Sequence, residues 1–133
     1  MAGEPVNLDD ALASIDQVYD PRVVATVNDY AAKIAKVRGD HVWHSHADTD
    51  EFVLALDGTF DIALRDGPGG AERTVRLQRG DVFVVPRGVE HCPSSDGGAI
   101  LMFEPADTNS TGDYEGDLPD HVTSSSGRAL DES

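Results

Sequence analysis

The chain has one cysteine, ten basic residues and no long apolar run. A lone Cys92 cannot form an intramolecular disulfide, so no disulfide framework organises the fold. Ten Lys and Arg face twenty-five Asp and Glu, a formal net charge of −15. Such a surface is repelled by phosphate backbones and anionic lipid headgroups, which argues against nucleic acid and membrane as partners. Eighteen consecutive apolar residues, the least that reads as a membrane span, occur nowhere. The start MAGEPVNLDDALASI has no basic region ahead of an apolar core, and with one cysteine the expected location is cytoplasmic. Beyond Pro21 no ten-residue helical period appears, which excludes an alternation of strands and helices. At 133 residues the chain suits one domain with a real core.

Three regions differ in texture. In residues 1–20, Asn7 is placed to cap a short helix whose Leu8, Leu12 and Ile15 share a face, while Asp9 and Asp10 favour its N-terminus. Asp20-Pro21 ends it. Residues 21–105 are short β-branched runs separated by turn residues: RVVATV, AAKIAKV, HVWHSH, EFVLAL, FDIALR, RTVRLQ, VFVVP and AILMFE. Six to eight strands at this spacing predict an all-β sandwich or barrel. Alternation puts Phe60, Ile62 and Leu64 on one face. In EFVLAL both faces are apolar, so a homodimer is expected to cover Phe52, Leu54 and Leu56 together with the N-terminal segment. Residues 106–133 carry many acidic and few apolar residues, and composition predicts a mostly disordered tail that lies along the domain near Tyr114.

The chemistry concentrates in HVWHSHADTDEFVLALDG, residues 41–58. If HVWHSH is a strand, His44 and His46 project from one face about 7 Å apart along the backbone. ADTD supplies a turn, and Glu51 opens the next strand with its carboxylate beside the imidazoles. On spacing alone two readings stay open, a metal site or ordinary strand histidines. His41 and Trp43 have the parity to face away, unless Gly39-Asp40 forms a bulge. Cys92 reads as a buried, inert thiol, His121 as a solvated histidine, and Gly67-Pro68-Gly69-Gly70 as a hairpin loop without the helix a phosphate loop needs.

A second block, GDVFVVPRGVEH at residues 80–91, ends in His91. Together the blocks resemble the paired motifs of the cupin superfamily. His44, His46, Glu51 and Gly58 fit G-x5-H-x-H-x(3,4)-E-x6-G, and Gly80, Pro86, Gly88 and His91 fit G-x5-P-x-G-x2-H-x3-N. Gly39 precedes His44 with four intervening residues rather than five, and Ser95 stands where the second motif has Asn. The resemblance covers residues 39–104 and is nearest to small single-domain cupins of the mannose-6-phosphate isomerase-like kind. It implies a jelly-roll β-barrel and a metal held by His44, His46, Glu51 and His91. Three imidazoles and a carboxylate suit one divalent transition metal, Fe, Mn, Ni, Cu, Co or Zn, and suit Ca or Mg poorly.

Such a site leaves open positions for small-molecule oxygens or dioxygen, so the first expectation is a metal-dependent oxygenase on a small organic substrate. Glu51 is expected to act as ligand and possible proton acceptor, and Val53, Ala55, Phe60, Ile62 and Phe103 to form the cavity wall. A sugar-phosphate isomerase or epimerase is the alternative. It would need Lys36, Arg38, Arg65, Arg76 or Arg87 as a phosphate anchor, yet parity turns Arg65 and Arg76 outward. A third reading is a non-catalytic binding or accessory protein with a stabilising metal.

Overall fold

The structure is a computed structural model that describes residues 3–67 and 69–131. Asn7 caps helix α1 (Leu8–Ala13) by accepting a hydrogen bond from the Asp10 N–H at 3.0 Å, as the sequence predicts. Seven strands follow: β1 (Arg22–Val27), β2 (Tyr30–Asp40), β3 (Glu51–Arg65), β4 (Glu72–Gln78), β5 (Val82–Val85), β6 (Glu90–Pro105) and β7 (Arg128–Ala129). They form one sheet in the order β4-β3-β6-β2-β1-β7, with β5 paired to the first part of β3. This is the all-β jelly-roll arrangement with a small helix, although the sheet does not close on itself.

The central strands are longer than the sequence suggests. EFVLAL and FDIALR are one strand, β3, because Gly58 does not end a hairpin; it lies within the strand opposite Gly98. Register shifts on both sides of Gly58 change the parity, so Glu51, Val53 and Ala55 point inward before it and Phe60, Ile62 and Leu64 after it. The inner face of β3 meets Ile100 and Met102 of β6 and Ala35 and Val37 of β2 in the main core. HVWHSH is not a strand. It is extended chain tied to β6 by a bridge between His44 and His91. The Gly67–Gly70 loop joins β3 to β4, whose pairing closes at Arg65 and Glu72, and Pro68 lies outside the described residues.

The apolar face of the N-terminal segment is used within the chain. Leu8, Ala11, Leu12 and Ile15 pack on Ile34, Leu56 and Leu101, so Leu56 is covered without a second subunit. The tail also departs from expectation. Rather than standing free, it follows the sheet: β7 pairs parallel with β1, Val122 joins the main core, and Asp20 binds both Arg22 and Arg128. Composition missed this because polar bonds and a few scattered apolar residues, Leu118, Val122 and Leu130, tie the tail rather than a continuous apolar face. Tyr114 is bonded within the tail, its hydroxyl donating to the Asp117 carbonyl.

Candidate metal centre

His44, His46 and His91 are all buried, and their nearest nitrogens lie within 4.8 Å of one another. Local backbone geometry produces this convergence. His44 and His91 face each other across reciprocal hydrogen bonds, His44 N–H to His91 O at 3.0 Å and His91 N–H to His44 O at 2.9 Å, and their rings stand 4.3 Å apart. The turn at Gly88 donates to the His46 carbonyl at 2.8 Å, and the Arg87 N–H donates to Asp50 Oδ1 at 2.9 Å. These bonds sew the ADTD turn to the Pro86–Gly88 turn, joining the two sequence blocks.

Orientation of the rings is set by main-chain carbonyls. His44 Nδ1 lies 2.7 Å from Val42 O, and His91 Nδ1 3.0 Å from Val89 O. A carbonyl can only accept, so each Nδ1 carries the proton and each Nε2 keeps its lone pair. His46 Nε2 and His91 Nε2 are buried without a hydrogen-bond partner. Glu51 completes the group, its Oε2 3.1 Å from His46 Nε2, close enough for an ion pair but not aligned as a hydrogen bond. Buried lone pairs with no donor are costly unless something electrophilic meets them, and neutral imidazoles with an adjacent carboxylate form an N/O set suited to a divalent transition metal. The residues therefore fit a metal ion.

Electrostatics agree. Burial pushes His44 down to about 3, with His91 adding to the shift, and burial also lowers His91. Both are neutral, as ligands must be. For Glu51, burial alone would raise the carboxyl, but the hydrogen-bonding proximity and charge of His46 prevail and hold it at about 2. For His46, burial lowers and Glu51 raises, with a net rise. A carboxyl held low stays ionised, as a ligand must be.

Next to this group lies a cavity of about 40 Å³, reached also by His44. Its wall includes the apolar Phe60, Ile100 and Met102 and the polar His41, Glu51 and Glu104. Of the five residues expected as cavity wall, Phe60 reaches the cavity. Val53, Ala55 and Ile62 are buried in the core behind it. Phe103 belongs elsewhere: it pairs with Phe52 on the outer side of the sheet and packs on Tyr30 with ring centres 5.2 Å apart. Inward parity on β6 runs through Ile100, Met102 and Glu104 instead.

His41 also corrects the parity reading. A register shift between Val37 and Gly39, with Gly39 at φ +79°, turns His41 inward, where it is 8% exposed, edge-on to Tyr19 and 5.1 Å from the His44 ring. Burial lowers it to about 4. Trp43 does face outward, with the Arg65 guanidinium 4.1 Å over its ring. Cys92 is half-buried, and burial raises its thiol to about 11. His121 is exposed, its Nε2 2.6 Å from the Asp40 carbonyl.

Sequence reading missed a buried pair behind the histidines. Lys33, 1% exposed, donates from Nζ to Glu104 Oε2 at 2.8 Å and to the Thr108 carbonyl at 3.1 Å. Burial, followed by the neighbouring charge of Glu51, raises Glu104 to about 7 against the pull of Lys33. Alternation held the signal: Ala31, Lys33, Ala35 and Val37 share the inward face of β2. The five cations weighed as phosphate anchors do not line the cavity. Arg76 binds Asp61 and Arg65 binds Glu90, while Lys36 donates to the Ile15 carbonyl.

With this geometry in place, known proteins were compared. A family model described as a cupin domain matches residues 33–103. The chain is 31% identical over 68 residues to the uncharacterized protein YdbB of Bacillus subtilis (strain 168), covering 51% of this chain and spanning 56% of that relative's length. Among solved structures, a cupin-2 domain containing protein from Shewanella frigidimarina NCIMB 400 is 42% identical with a TM-score of 0.68, covering 75% of this chain and 93% of that one. Hydroquinone 1,2-dioxygenase from Sphingomonas sp. TTNP3, with 4-hydroxybenzoate bound, is 24% identical with a TM-score of 0.62, covering 74% and 71%. That level of identity shows a shared fold.

Proposed function

Because the chain belongs to the cupin domain family, we propose that it is a metal-dependent enzyme of oxygenase type, acting on a small organic molecule, with His44, His46, Glu51 and His91 as its metal ligands. The observation that carries this reading is the set of three buried imidazoles whose nitrogens lie within 4.8 Å of one another, beside the Glu51 carboxylate. A divalent transition metal bound there would supply Lewis acidity and, if redox-active, a route for electrons between substrate and dioxygen. The chain's own contribution is placement. Val42 and Val89 carbonyls fix the His44 and His91 rings, and Phe60, Ile100 and Met102 line part of the adjoining cavity with carbon. The dioxygenase neighbour lends the oxygenase reading its direction. Mannose-6-phosphate isomerase-like chemistry finds little support, since the buried cation Lys33 is already held by Glu104 and Thr108.

Metal analysis of the protein as isolated, with the His91→Ala variant beside it, tests the site. Near-stoichiometric transition metal in the wild type and its loss in the variant are expected; sub-stoichiometric metal in both rejects the site. Oxygen uptake with a panel of small phenols and hydroxy acids tests the reaction, and no uptake with Fe-, Mn-, Ni- or Cu-loaded protein rejects the oxygenase assignment.

The same proposal includes a homodimer through the outer face around Phe52, where Val82 and Val84 are 52% and 44% exposed and Tyr30 and Phe103 lie alongside. Light scattering at micromolar concentration is expected to give twice the chain mass, and a monomer rejects it.

A further inference from the structure

We propose that Glu104 and His41 form a polar subsite beside the three histidines that receives a hydroxyl group of the ligand, which places the substrate among small hydroxy acids and diols. The proposal rests on the metal-site reading for the ligand's first oxygen, and on separate observations for its second.

Polar groups around the cavity are accounted for almost completely. The Tyr19 hydroxyl donates to the Gly39 carbonyl at 2.7 Å. Ser110 Oγ donates to the Thr123 carbonyl and accepts from the Ser125 N–H. His44 Nδ1 is taken by Val42 O. On Glu104, Oε2 receives Lys33. What remains is Glu104 Oε1 and His41 Nδ1, each buried and without a hydrogen-bond partner, on side chains that both line the one cavity. Glu104 is 3% and His41 8% exposed. Buried polar atoms are almost always satisfied, and two orphans on one cavity wall imply that an occupant supplies their bonds.

The chemistry of that occupant follows from the atoms. When Glu104 is ionised, above about 7, its free oxygen can only accept, so there the occupant must bring a donor, and a second buried carboxylate, Glu51, stands in the same wall. An anionic group at the subsite itself would be repelled by both, so the carboxylate of a hydroxy acid belongs at the metal group and its hydroxyl at Glu104. The remaining wall is apolar, with Phe60, Ile100 and Met102 offering carbon surface to whatever bears the hydroxyl. The cavity volume of about 40 Å³ exceeds the roughly 10–15 Å³ that one water needs, leaving room for a hydroxyl and the carbon carrying it. Because His44 and Glu51 border the same space, a molecule with two oxygens a few bonds apart reaches both the metal group and the subsite. Lys33, itself anchored on the Thr108 carbonyl, holds Glu104 from behind and keeps Oε2 occupied, so that Oε1 is the atom left for the ligand.

Glycolate and acetate, which differ by one hydroxyl, are the probes, titrated into the full chain loaded with Co(II) and followed by calorimetry and by the visible Co(II) spectrum. Chelation by the glycolate hydroxyl contributes equally in every variant, so the change in the glycolate-to-acetate affinity ratio reads the subsite. The paired variant Lys33→Met/Glu104→Met removes the acceptor without stranding a buried charge, and His41→Phe removes the second partner. The expected result is a ratio that falls about tenfold in the paired variant, the scale of a hydrogen bond to a charged group, and by a smaller factor in His41→Phe, with acetate affinity and Co(II) content unchanged. A ratio unchanged in both variants overturns the subsite and leaves the cavity to water. Failure of the wild type to take up Co(II) defeats the metal reading instead. The ratio is then measured on the metal-free chain, where its dependence on Glu104 upholds the subsite and absence of glycolate binding overturns it.

Discussion

An ammonium buried as completely as Lys33 needs acceptors for its donors, and here Glu104 and the Thr108 carbonyl take two of the three. Removing one partner leaves the other charged and dry, whereas removing both leaves a core of ordinary methionine volume. Lys33→Met alone is therefore expected to cost about 3–5 kcal/mol in urea denaturation, and Lys33→Met/Glu104→Met much less. Equal losses for the single and paired variants would show that the two residues do not act as a pair. Residue-scale features divided sharply in how far they could be read from sequence. His44, His46, Glu51 and His91 were legible because fixed spacing in two blocks carries them. His41 was not, since one register shift beside Gly39 inverts its parity, and a bulge leaves only a glycine as its mark. Glu104 and Lys33 sat on correctly alternating strands, but their charge made them look like solvent-facing residues. Phe103 erred in the opposite sense, an apolar side chain on the outer face.

At the scale of elements, Gly58 shows why β3 can run unbroken past β6. A Cβ there would lie 2.0 Å from the Gly97 carbonyl oxygen and 2.8 Å from Gly98 Cα, and the residue sits at φ +65°. Gly58→Ala would combine left-handed strain of about 1–2 kcal/mol with an overpacking cost of about 1–3 kcal/mol. A loss of roughly 2–5 kcal/mol by chemical denaturation is expected from these two terms, and a change below 0.5 kcal/mol would mean the strands separate freely. The tail is bound by different means. Asp113 accepts from the Ser45 N–H at 2.7 Å and from Ser45 Oγ at 3.0 Å, holding the tail against the chain between His44 and His46. Because these bonds are exposed, Asp113→Ala is expected to cost about 1 kcal/mol while speeding amide exchange through residues 108–114. Unchanged exchange would show that the tail is held elsewhere. The β-rich content of the central region was readable from alternation and turn residues, but its joins were not, since EFVLAL and FDIALR run as one strand and HVWHSH is none. The tail was not, because composition records how little apolar area a segment offers and is silent on the hydrogen bonds an acidic segment can make to a neighbouring strand.

For the whole molecule, the buried histidines make stability a function of pH, and the sign follows from each group. His41 at about 4, His44 at about 3 and the lowered His91 stay neutral in the fold at pH values where they are charged in the unfolded chain. Below about 6.5 the unfolded chain then binds more protons, and each group removes about 1.4 kcal/mol of stability per pH unit until its folded value is reached. Two groups oppose this. His46 is raised, so its contribution is present below 6.5 and fades as pH rises through its folded value; Glu104, raised to about 7, favours the fold at low pH and ceases to as pH climbs from 4.5 to 7. Glu51, at about 2 when folded, adds its own loss below 4.5. The metal-free protein should therefore lose stability from pH 6.5 to 4.5, where Glu104 offsets one of the three histidines, and more steeply just below 4.5, where that offset ends and Glu51 adds its loss, as denaturation midpoints at half-unit pH intervals would record. Metal binding removes the compensation, because it requires His46 and Glu51 both unprotonated. At a free metal concentration one hundred times its dissociation constant the fold gains about 2.7 kcal/mol, and that gain should disappear on acidification as His46 takes up a proton. Melting curves with Zn(II) or with EDTA at pH 7.5 and pH 5 test this: a metal-dependent rise at the higher pH that shrinks at the lower one is expected. A rise of equal size at both would show that the protons and the metal do not compete for the same histidines.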